Sequence, residues 1–241
     1  LWDTKSLQRV QYYSEGHDFL ASSSAFFADG SKLATGAGDG TARIWDVASG
    51  TQILTLEATG RAAALAISEH GRWVATGGPD NRANIWDAQS GARLAVLEGH
   101  EAEVTSVSFA PGNQLLATAD DRGRCRLWQY DADSQEWTGS HWLRGHSRSI
   151  TAMEFTMDGT RLVTASGDNT CGQWDIATGR ELTERVLTHP DWVADMSVSA
   201  DGRRMLSCCD DGHLRLWSLE EAQVLREIKP SSDEVFTSVD L

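Results

Sequence analysis

Histidines that precede aspartates at a fixed interval are the residues of this chain that could do chemistry. His17, His146 and His189 are each followed by an aspartate 22 positions later. A histidine beside a carboxylate is an arrangement that general acid–base catalysis uses. The pair recurs in three copies, however, whereas an enzyme needs one site with perturbed groups. We therefore interpret the pairs as structural, predict no catalytic residue and expect the protein not to be an enzyme.

Three other patterns could bind a ligand, and each has a simpler interpretation. The glycine-rich stretch 36–40 lacks the following lysine and helix of a phosphate-binding loop and is typical of a hairpin turn. Asp131, Asp133 and Glu136 lack the glycine turn and ligand spacing of a calcium loop. The four cysteines have no Cys-x-x-Cys spacing, which indicates small buried side chains in a reducing compartment and favours the cytoplasm. No metal and no cofactor is predicted.

Net charge narrows the range of partners. The 241 residues include 35 acidic and 21 basic side chains, which gives a net charge of −14. A surface of this sign repels nucleic acid and anionic membranes, and the basic residues form no long run. The longest uninterrupted apolar stretch, 62–67, is far shorter than the roughly 20 residues that a membrane helix needs. We therefore predict neither nucleic acid nor a membrane as the partner.

The elements that must position the histidines follow a repeat marked by tryptophan. Its copies, 41 to 46 residues apart, are Trp2, Trp45, Trp86, Trp128, Trp174 and Trp217. Ten residues before each of the last five comes a hydroxyl side chain. Four of these repeats have an aspartate six residues before the tryptophan, and four have a histidine 28 residues before it, but only three repeats have both. The second repeat has Ala58 at the histidine position, and the third has Arg122 at the aspartate position. Each repeat is interpreted as one supersecondary unit with a single adjustable loop.

Short antiparallel strands are predicted within each repeat. In the third they are 104–109, 114–118 and 124–128, separated by a Pro-Gly turn and a turn around Asp121. A fourth strand, such as 93–97, follows each tryptophan. The Asp-Gly and Asp-Asn pairs at the turns tolerate the positive φ of tight hairpins. The sequence therefore predicts an all-β fold.

These features resemble the WD40 repeat family of β-propellers over essentially the whole chain. The resemblance rests on Gly-His at 16–17, 99–100 and 145–146, on Asp-Gly at 39–40 and 211–212, and on Trp-Asp at 45–46, 86–87 and 174–175. It implies a ring of four-stranded antiparallel blades, with strands a to d running from the centre outward. It places the tryptophan at the end of strand c, the histidine in the d-to-a loop, the hydroxyl in strand b and the aspartate in the b-to-c turn.

The four recurring side chains can form one hydrogen-bonded clamp in each blade. Indole N–H only donates, a hydroxyl donates and accepts, neutral imidazole does each once, and carboxylate only accepts. Complete clamps are predicted from His17, Thr35, Asp39 and Trp45; from His146, Thr164, Asp168 and Trp174; and from His189, Ser207, Asp211 and Trp217. The second blade lacks its histidine and the third its turn aspartate, so these two blades are predicted to be the least protected.

The resemblance also implies a scaffold that binds proteins through its top face, which carries the d-to-a and b-to-c loops. The positions expected to point from it lie three and five residues after the loop histidine and one before the turn aspartate. The protein-binding candidates are Leu20, Arg61, Glu103, Asp121, Trp192 and Asp210. Tryptophan and arginine are enriched where binding energy concentrates; the alternative for Trp192 is packing under its own loop. The carboxylates favour a peptide with basic and apolar residues. Trp137 and Trp142 form a second candidate patch at the outer rim.

Two alternative functions stay open. One is a regulatory or sensor propeller of a larger signalling protein, with a kinase or NTPase module outside this stretch. The other is a propeller enzyme with a site in the central channel, which needs clustered carboxylates, histidines or metal ligands near the start of strand a. Asp195 is the ionisable residue found there.

The chain is predicted to be one propeller domain over 1–241 that is incomplete at both ends. Blades are predicted at 17–57, 58–98, 100–144, 146–187 and 189–228. Residues 1–16 are expected to end a preceding blade, with a strand over 7–13, and 229–241 to begin the next blade, with a strand over 235–241. The repeat length fits a ring of six or seven blades, and the resemblance favours seven.

Overall fold

The fold is built entirely from β-strands and turns. The computed structural model describes residues 1, 5–6, 8–9, 16–58, 60–229 and 236–241. Those residues contain 21 strands, one three-residue 3₁₀ turn and no α-helix. No helix in the described part of the chain is long and apolar enough to pass through a bilayer.

Five antiparallel sheets, here called blades one to five, follow one another along the chain. Blade one has β1 (Ala21–Phe26), β2 (Lys32–Ala37), β3 (Thr41–Asp46) and β4 (Gln52–Glu57). Blade two has β5 (Ala64–Ile67), β6 (Trp73–Gly77), β7 (Ala83–Asp87) and β8 (Arg93–Leu97). Blade three has β9 (Val104–Phe109), β10 (Leu115–Asp120), β11 (Arg124–Asp131) and β12 (Glu136–Arg144). Blade four has β13 (Ile150–Phe155), β14 (Arg161–Ser166), β15 (Thr170–Asp175), β16 (Arg180–Glu181) and β17 (Leu187–Thr188). Blade five has β18 (Val193–Val198), β19 (Arg204–Cys209), β20 (Leu214–Ser218) and β21 (Gln223–Ile228).

Within each blade, strands that are consecutive in the chain are neighbours in the sheet. Each blade is therefore a meander, as the hairpin turns of the sequence predict. In blade four the outer strand is divided, because β16 and β17 both pair with β15 and the 3₁₀ turn Thr183–Arg185 lies between them. The predicted four-stranded antiparallel architecture is confirmed.

Every b-to-c turn contains a residue with positive φ. These residues are Gly40, Asn81, Gly123, Asn169 and Gly212. Glycine takes this conformation without steric cost, and asparagine tolerates it better than most residues. Asp-Gly or Asp-Asn pairs therefore close four of these hairpins, and Arg122-Gly123 closes that of blade three.

The apolar core lies between the blades. Trp128 of blade three packs in one cluster with Ile85 and Leu97 of blade two. Trp174 of blade four packs in another with Leu127 and Leu143 of blade three. Two further clusters join blades one and two and blades four and five. Blades two to four are therefore covered on both faces by their neighbours, and the repeated tryptophan is a main contact between successive blades.

The predicted flanking strands fall at the limits of the described residues. Residues 7 and 10–13 and Val235 lie outside them. Residues 236–241 form no strand, because main-chain donors there bond to side chains: Val239 N–H to Asp195 Oδ2 at 3.0 Å and Leu241 N–H to Ser197 Oγ at 3.2 Å. This segment therefore lies beside β18, the inner strand of blade five.

Candidate functional site

Blades one and four bring all four members of the predicted clamp together. In blade one, Trp45 Nε1 donates to Thr35 Oγ1 at 2.8 Å, His17 Nε2 lies 2.8 Å from that hydroxyl, and His17 Nδ1 lies 2.9 Å from Asp39 Oδ2. Burial raises the pKa of the Asp39 carboxyl, but hydrogen bonds from Thr41 and His17 outweigh burial and lower it to about 2. The clamp therefore holds an ionised carboxylate at the base of the b-to-c turn.

The clamp of blade four has nearly the same dimensions. Trp174 Nε1 donates to Thr164 Oγ1 at 2.8 Å, and His146 Nε2 lies 2.7 Å from the same hydroxyl. His146 Nδ1 lies 3.0 Å from Asp168 Oδ2. In both blades the distances fit a neutral imidazole that accepts at Nε2 and donates at Nδ1. Both ring nitrogens of each histidine are therefore used in hydrogen bonds that hold the blade together.

Blade three requires a correction, because its clamp is complete. Asp120, the last residue of β10, supplies the carboxylate from two positions before the expected one. His100 Nδ1 lies 2.9 Å from Asp120 Oδ2, and both His100 Nε2 and Trp128 Nε1 bond Thr118 Oγ1. Asp120 is fully buried. Burial raises its pKa, but hydrogen bonds from His100 and the Arg124 N–H outweigh that effect and leave the pKa below its usual range.

Blade five requires the opposite correction, because Asp211 does not bond His189. Arg215 occupies the carboxylate instead, with Nη1–Oδ1 and Nη2–Oδ2 distances of 3.1 and 2.5 Å. His189 Nε2 still meets Ser207 Oγ at 2.8 Å, but its Nδ1 has no hydrogen-bond partner of normal geometry in the described part of the chain. Burial, followed by the nearby Arg215 charge, lowers the pKa of His189 to about 4. The imidazole is therefore held neutral.

Blade two lacks the clamp histidine, as its sequence indicates. Trp86 Nε1 donates to Thr76 Oγ1 at 2.9 Å, so the inner half of the clamp is present. The blades without a full clamp are therefore two and five, rather than two and three.

The central channel is lined mainly by hydroxyl groups. Its volume is about 480 Å³, and its wall includes Ser22, Thr105, Thr151 and Asp195. The Asp195 carboxylate accepts hydrogen bonds from Ser238 Oγ at 2.9 Å and from the Val239 N–H. Among the described residues, one set could hold a metal ion, Asp211 with His213 and Glu227, and Arg215 bonds both carboxylates of that set. Among the described residues of this wall, Asp195 is the one ionisable side chain.

Three channel hydroxyls join one blade to the next. Thr105 Oγ1 donates to the Ile150 carbonyl at 2.7 Å, and Thr151 Oγ1 donates to the Val193 carbonyl at 2.8 Å. Ser22 Oγ donates to the Ala62 carbonyl at 3.1 Å. These residues lie five positions after the loop histidine, where the sequence predicts ligand-facing groups. Their hydroxyls instead form an inter-blade bond, here called the hydroxyl latch.

A main-chain hydrogen bond ties the two top-face loops together in blades one, three, four and five, and it involves several of the candidates. Asp121 N–H donates to the Glu103 carbonyl at 3.0 Å, and Asp210 N–H donates to the Trp192 carbonyl at 2.9 Å. Gly38 N–H makes the same bond to the Leu20 carbonyl at 3.2 Å. Blade two has Pro79 at the donor position, which carries no N–H. The predicted positions are thus paired across loops, and Asp121 and Asp210 are exposed.

Arg61 and Glu103 bind each other. Arg61 Nη2 lies 2.5 Å from Glu103 Oε1 and joins blades two and three. A ligand that uses either side chain must therefore separate this ion pair or bridge it.

The exposed apolar side chains of the top face belong to blades one and five, on either side of the Arg61–Glu103 ion pair. Leu20 is 89% exposed and Trp192 is 39% exposed. Phe19, which sequence reasoning missed, is 70% exposed, and its Cβ packs against Gly38. The Trp192 indole lies over Gly167, where a Cβ would meet it at 3.0 Å. Glycine at 167 therefore lets this indole lie flat on the neighbouring blade with one face open.

The rim tryptophans are packed. Trp137 contacts Trp73 and Tyr130, with ring centroids 5.3 Å from each. Trp142 covers the Arg126 guanidinium at 5.0 Å and meets His100 edge-on. This second candidate patch therefore has a clear packing role.

Comparison with known proteins places the fold in a family. The family model described as WD domain, G-beta repeat matches residues 8–46, 50–87, 91–129, 137–175 and 181–218. This chain belongs to the WD40 repeat family. The match covers most of the sequence, and each matched segment ends at or just after one of the repeated tryptophans.

Two curated relatives and one solved structure extend this WD40 assignment. The guanine nucleotide-binding protein subunit beta of Solanum tuberosum is 25% identical over 53% of this chain and 24% of its own length. The coronin-like protein of Saccharomyces cerevisiae is 35% identical over 22% of this chain and 8% of its own. The structure of U3-55K superposes with a TM-score of 0.79 and 23% identity, covering 89% of this chain and 66% of that one. The WD40 chain thus matches a quarter or less of these curated relatives, and the structural likeness shows the fold.

Proposed function

We propose that this WD40 propeller is a non-enzymatic scaffold that binds a protein or peptide through its top face. The observation that carries the proposal is the exposure of Leu20, Phe19 and Trp192 on the face that also presents Asp121 and Asp210. The exposed parts of these large apolar side chains add nothing to the stability of the blades, and aromatic anchors of this kind dominate binding energy at interfaces.

The ligand is a segment that combines apolar and basic residues. Apolar side chains match Trp192 and the Phe19–Leu20 pair, and basic side chains match the exposed carboxylates. The net charge of −14 adds a general attraction for such a segment. The four cysteines are free thiols, which supports a reducing compartment, and we place the protein in the cytoplasm.

The test is the affinity of partners recovered with the full-length protein and then purified. Trp192→Ala and Leu20→Ala are each expected to weaken binding about tenfold or more in calorimetry. Asp131→Ala, on the outer rim, is the matched control and is expected to leave the affinity unchanged. Equal affinities for the wild type and for a variant that combines Arg61→Ala, Glu103→Ala and Trp192→Ala would show that the top face is the wrong surface.

A second candidate is a regulatory or sensor propeller within a larger signalling protein that carries a kinase or NTPase module. The match to a fraction of the length of proteins named as a G-protein subunit supports it. The sequence of the full-length gene product decides between the two: a catalytic module beyond this stretch favours the second, and further repeats alone favour the first.

A further inference from the structure

The face opposite the proposed top-face site has an apolar cavity where the channel opens between the a-to-b turns. Its volume is about 560 Å³. The apolar side chains that line it are Leu65, Ile67, Phe109, Pro111, Phe155 and Met157. With the two carboxylates described below, we call these residues the bottom cup. They come from the distal ends of inner strands β5, β9 and β13, and from the turns that follow.

Among the residues of the bottom cup, Met157 has the least evident role in the fold. It is 61% exposed. The turn that carries it is closed by Asp158, whose Oδ1 accepts from Thr156 Oγ1 at 2.6 Å and from Thr160 N–H at 3.0 Å. The equivalent positions two residues after each inner strand are Ala28, Glu69, Pro111 and Ala200. A long, flexible apolar side chain is thus placed at the mouth of a cavity without a role in its own turn.

Two carboxylates give the cup a negative wall. Glu154 stands one residue before the end of β13, where the other blades carry Ala25, Ala66, Ser108 and Ser197. Its Oε2 accepts from the Val198 N–H at 2.8 Å, and Glu69 Oε2 accepts from the Gly112 N–H at 3.1 Å. No lysine, arginine or histidine of the described residues lines this cavity. An apolar chamber with acidic groups on one side matches an apolar side chain that is followed by a cation.

We propose that the bottom cup is a second interaction site, which takes one aliphatic or aromatic side chain and an adjacent lysine or arginine from a partner peptide. The apolar side chain enters between Ile67, Phe109 and Met157, and the cation faces Glu154 and Glu69. The site lies at the other end of the inner strands from Trp192, so it works independently of the top face.

The experiment is a selection of random peptides displayed on phage against the full-length protein, followed by calorimetry with the selected peptides made synthetically. Met157→Asp is expected to weaken cup-binding peptides about tenfold or more, because it places a charge in an apolar chamber. Ala200→Asp is the matched control, since it introduces an aspartate at the same turn position in blade five, outside the cup. It is expected to leave the affinity unchanged.

Two further variants test the contribution of the two charges and the independence of the bottom cup from the top face. Glu69→Gln combined with Glu154→Gln keeps both hydrogen-bond acceptors and removes both charges; it is expected to weaken binding about threefold to tenfold and to reduce its salt dependence. Trp192→Ala is expected to leave the same peptides unaffected, whatever it does to top-face ligands. The proposal is overturned if no selected peptide depends on Met157, if Ala200→Asp has an equal effect, or if the dependent peptides lack an apolar residue beside a basic one.

Discussion

Whether a clamp forms depends on the position of its carboxylate and on the other side chains that bond to that carboxylate. Asp120 reaches His100 from the end of a strand, two positions before the site that spacing predicts. Asp211 stands at the predicted position, but Arg215 takes both of its oxygens. Residue type and interval therefore identify the tryptophan, hydroxyl and histidine of a clamp, but in blades three and five they do not identify its carboxylate. They do not reveal competition from a third side chain, which depends on where a long arginine lies in the folded blade.

The burial of the His189 imidazole makes the stability of the protein depend on pH. Its pKa falls from 6.5 to about 4 on folding, so between these values the unfolded chain binds a proton that the folded chain does not. Stability contributed by this residue is therefore full above pH 6.5 and lost as the pH falls. Between pH 7 and pH 5 the loss is about 2 kcal/mol. His189→Gln is expected to remove that part of the pH dependence in urea unfolding measured over this range.

His141→Gln is the control, since His141 lies on the exposed outer strand of blade three. An unfolding free energy of the His189→Gln variant that falls with pH as steeply as that of the wild type would contradict the assignment.

At the scale of the blade, the clamps differ in completeness. Blades one, three and four have a continuous chain from tryptophan to carboxylate, whereas blade two has no clamp histidine and blade five has a histidine ring nitrogen without a hydrogen-bond partner. A missing hydrogen bond is worth about 0.5 to 1.5 kcal/mol. Amides of the inner strands in blades two and five are therefore expected to exchange hydrogen roughly threefold to tenfold faster than those of three and four, as measured by mass spectrometry of the native protein.

Blade three is the decisive comparison in that measurement. Its Asp120 is buried and fully bonded, so slow exchange is expected there. Exchange in blade three as fast as in blade two would mean that the clamp does not set local stability.

The positions of the strands can be predicted from local patterns in the sequence. The hydroxyl before each tryptophan lies in the second strand, the tryptophan near the end of the third, and the turn residues adopt the expected positive φ. Surface positions are less predictable, since Thr105 and Thr151 turn their hydroxyls to the next blade, and Arg61 pairs with Glu103. Those outcomes depend on how far apart neighbouring blades lie in the folded protein. The sequence of a single repeat does not specify that distance.

At the scale of the whole molecule, stability depends on how blades join. The hydroxyl latch crosses the junctions from one to two, three to four and four to five, while Ala63 stands at the latch position of blade two. Thr105→Val keeps the shape and removes the bond. It is expected to cost about 1 kcal/mol in urea unfolding and to speed exchange on both sides of the junction between blades three and four.

Thr138→Val, on the exposed outer strand of the same blade, is the matched control and is expected to change stability by less than about 0.5 kcal/mol. Equal losses for the two variants would show that the latch does not couple the blades.

The exposure of the Trp192 indole affects the fluorescence of the protein. The five repeated tryptophans from Trp45 to Trp217 are buried, and each donates its N–H to a hydroxyl, whereas Trp192 has one face in water. Their emission is shielded from a dissolved quencher such as acrylamide, while that of Trp192 is accessible. Trp192 is thus one of the accessible fluorophores, beside the half-buried Trp137 and Trp142 of the rim, and a ligand that covers it lowers the quenchable fraction of the emission without any attached label.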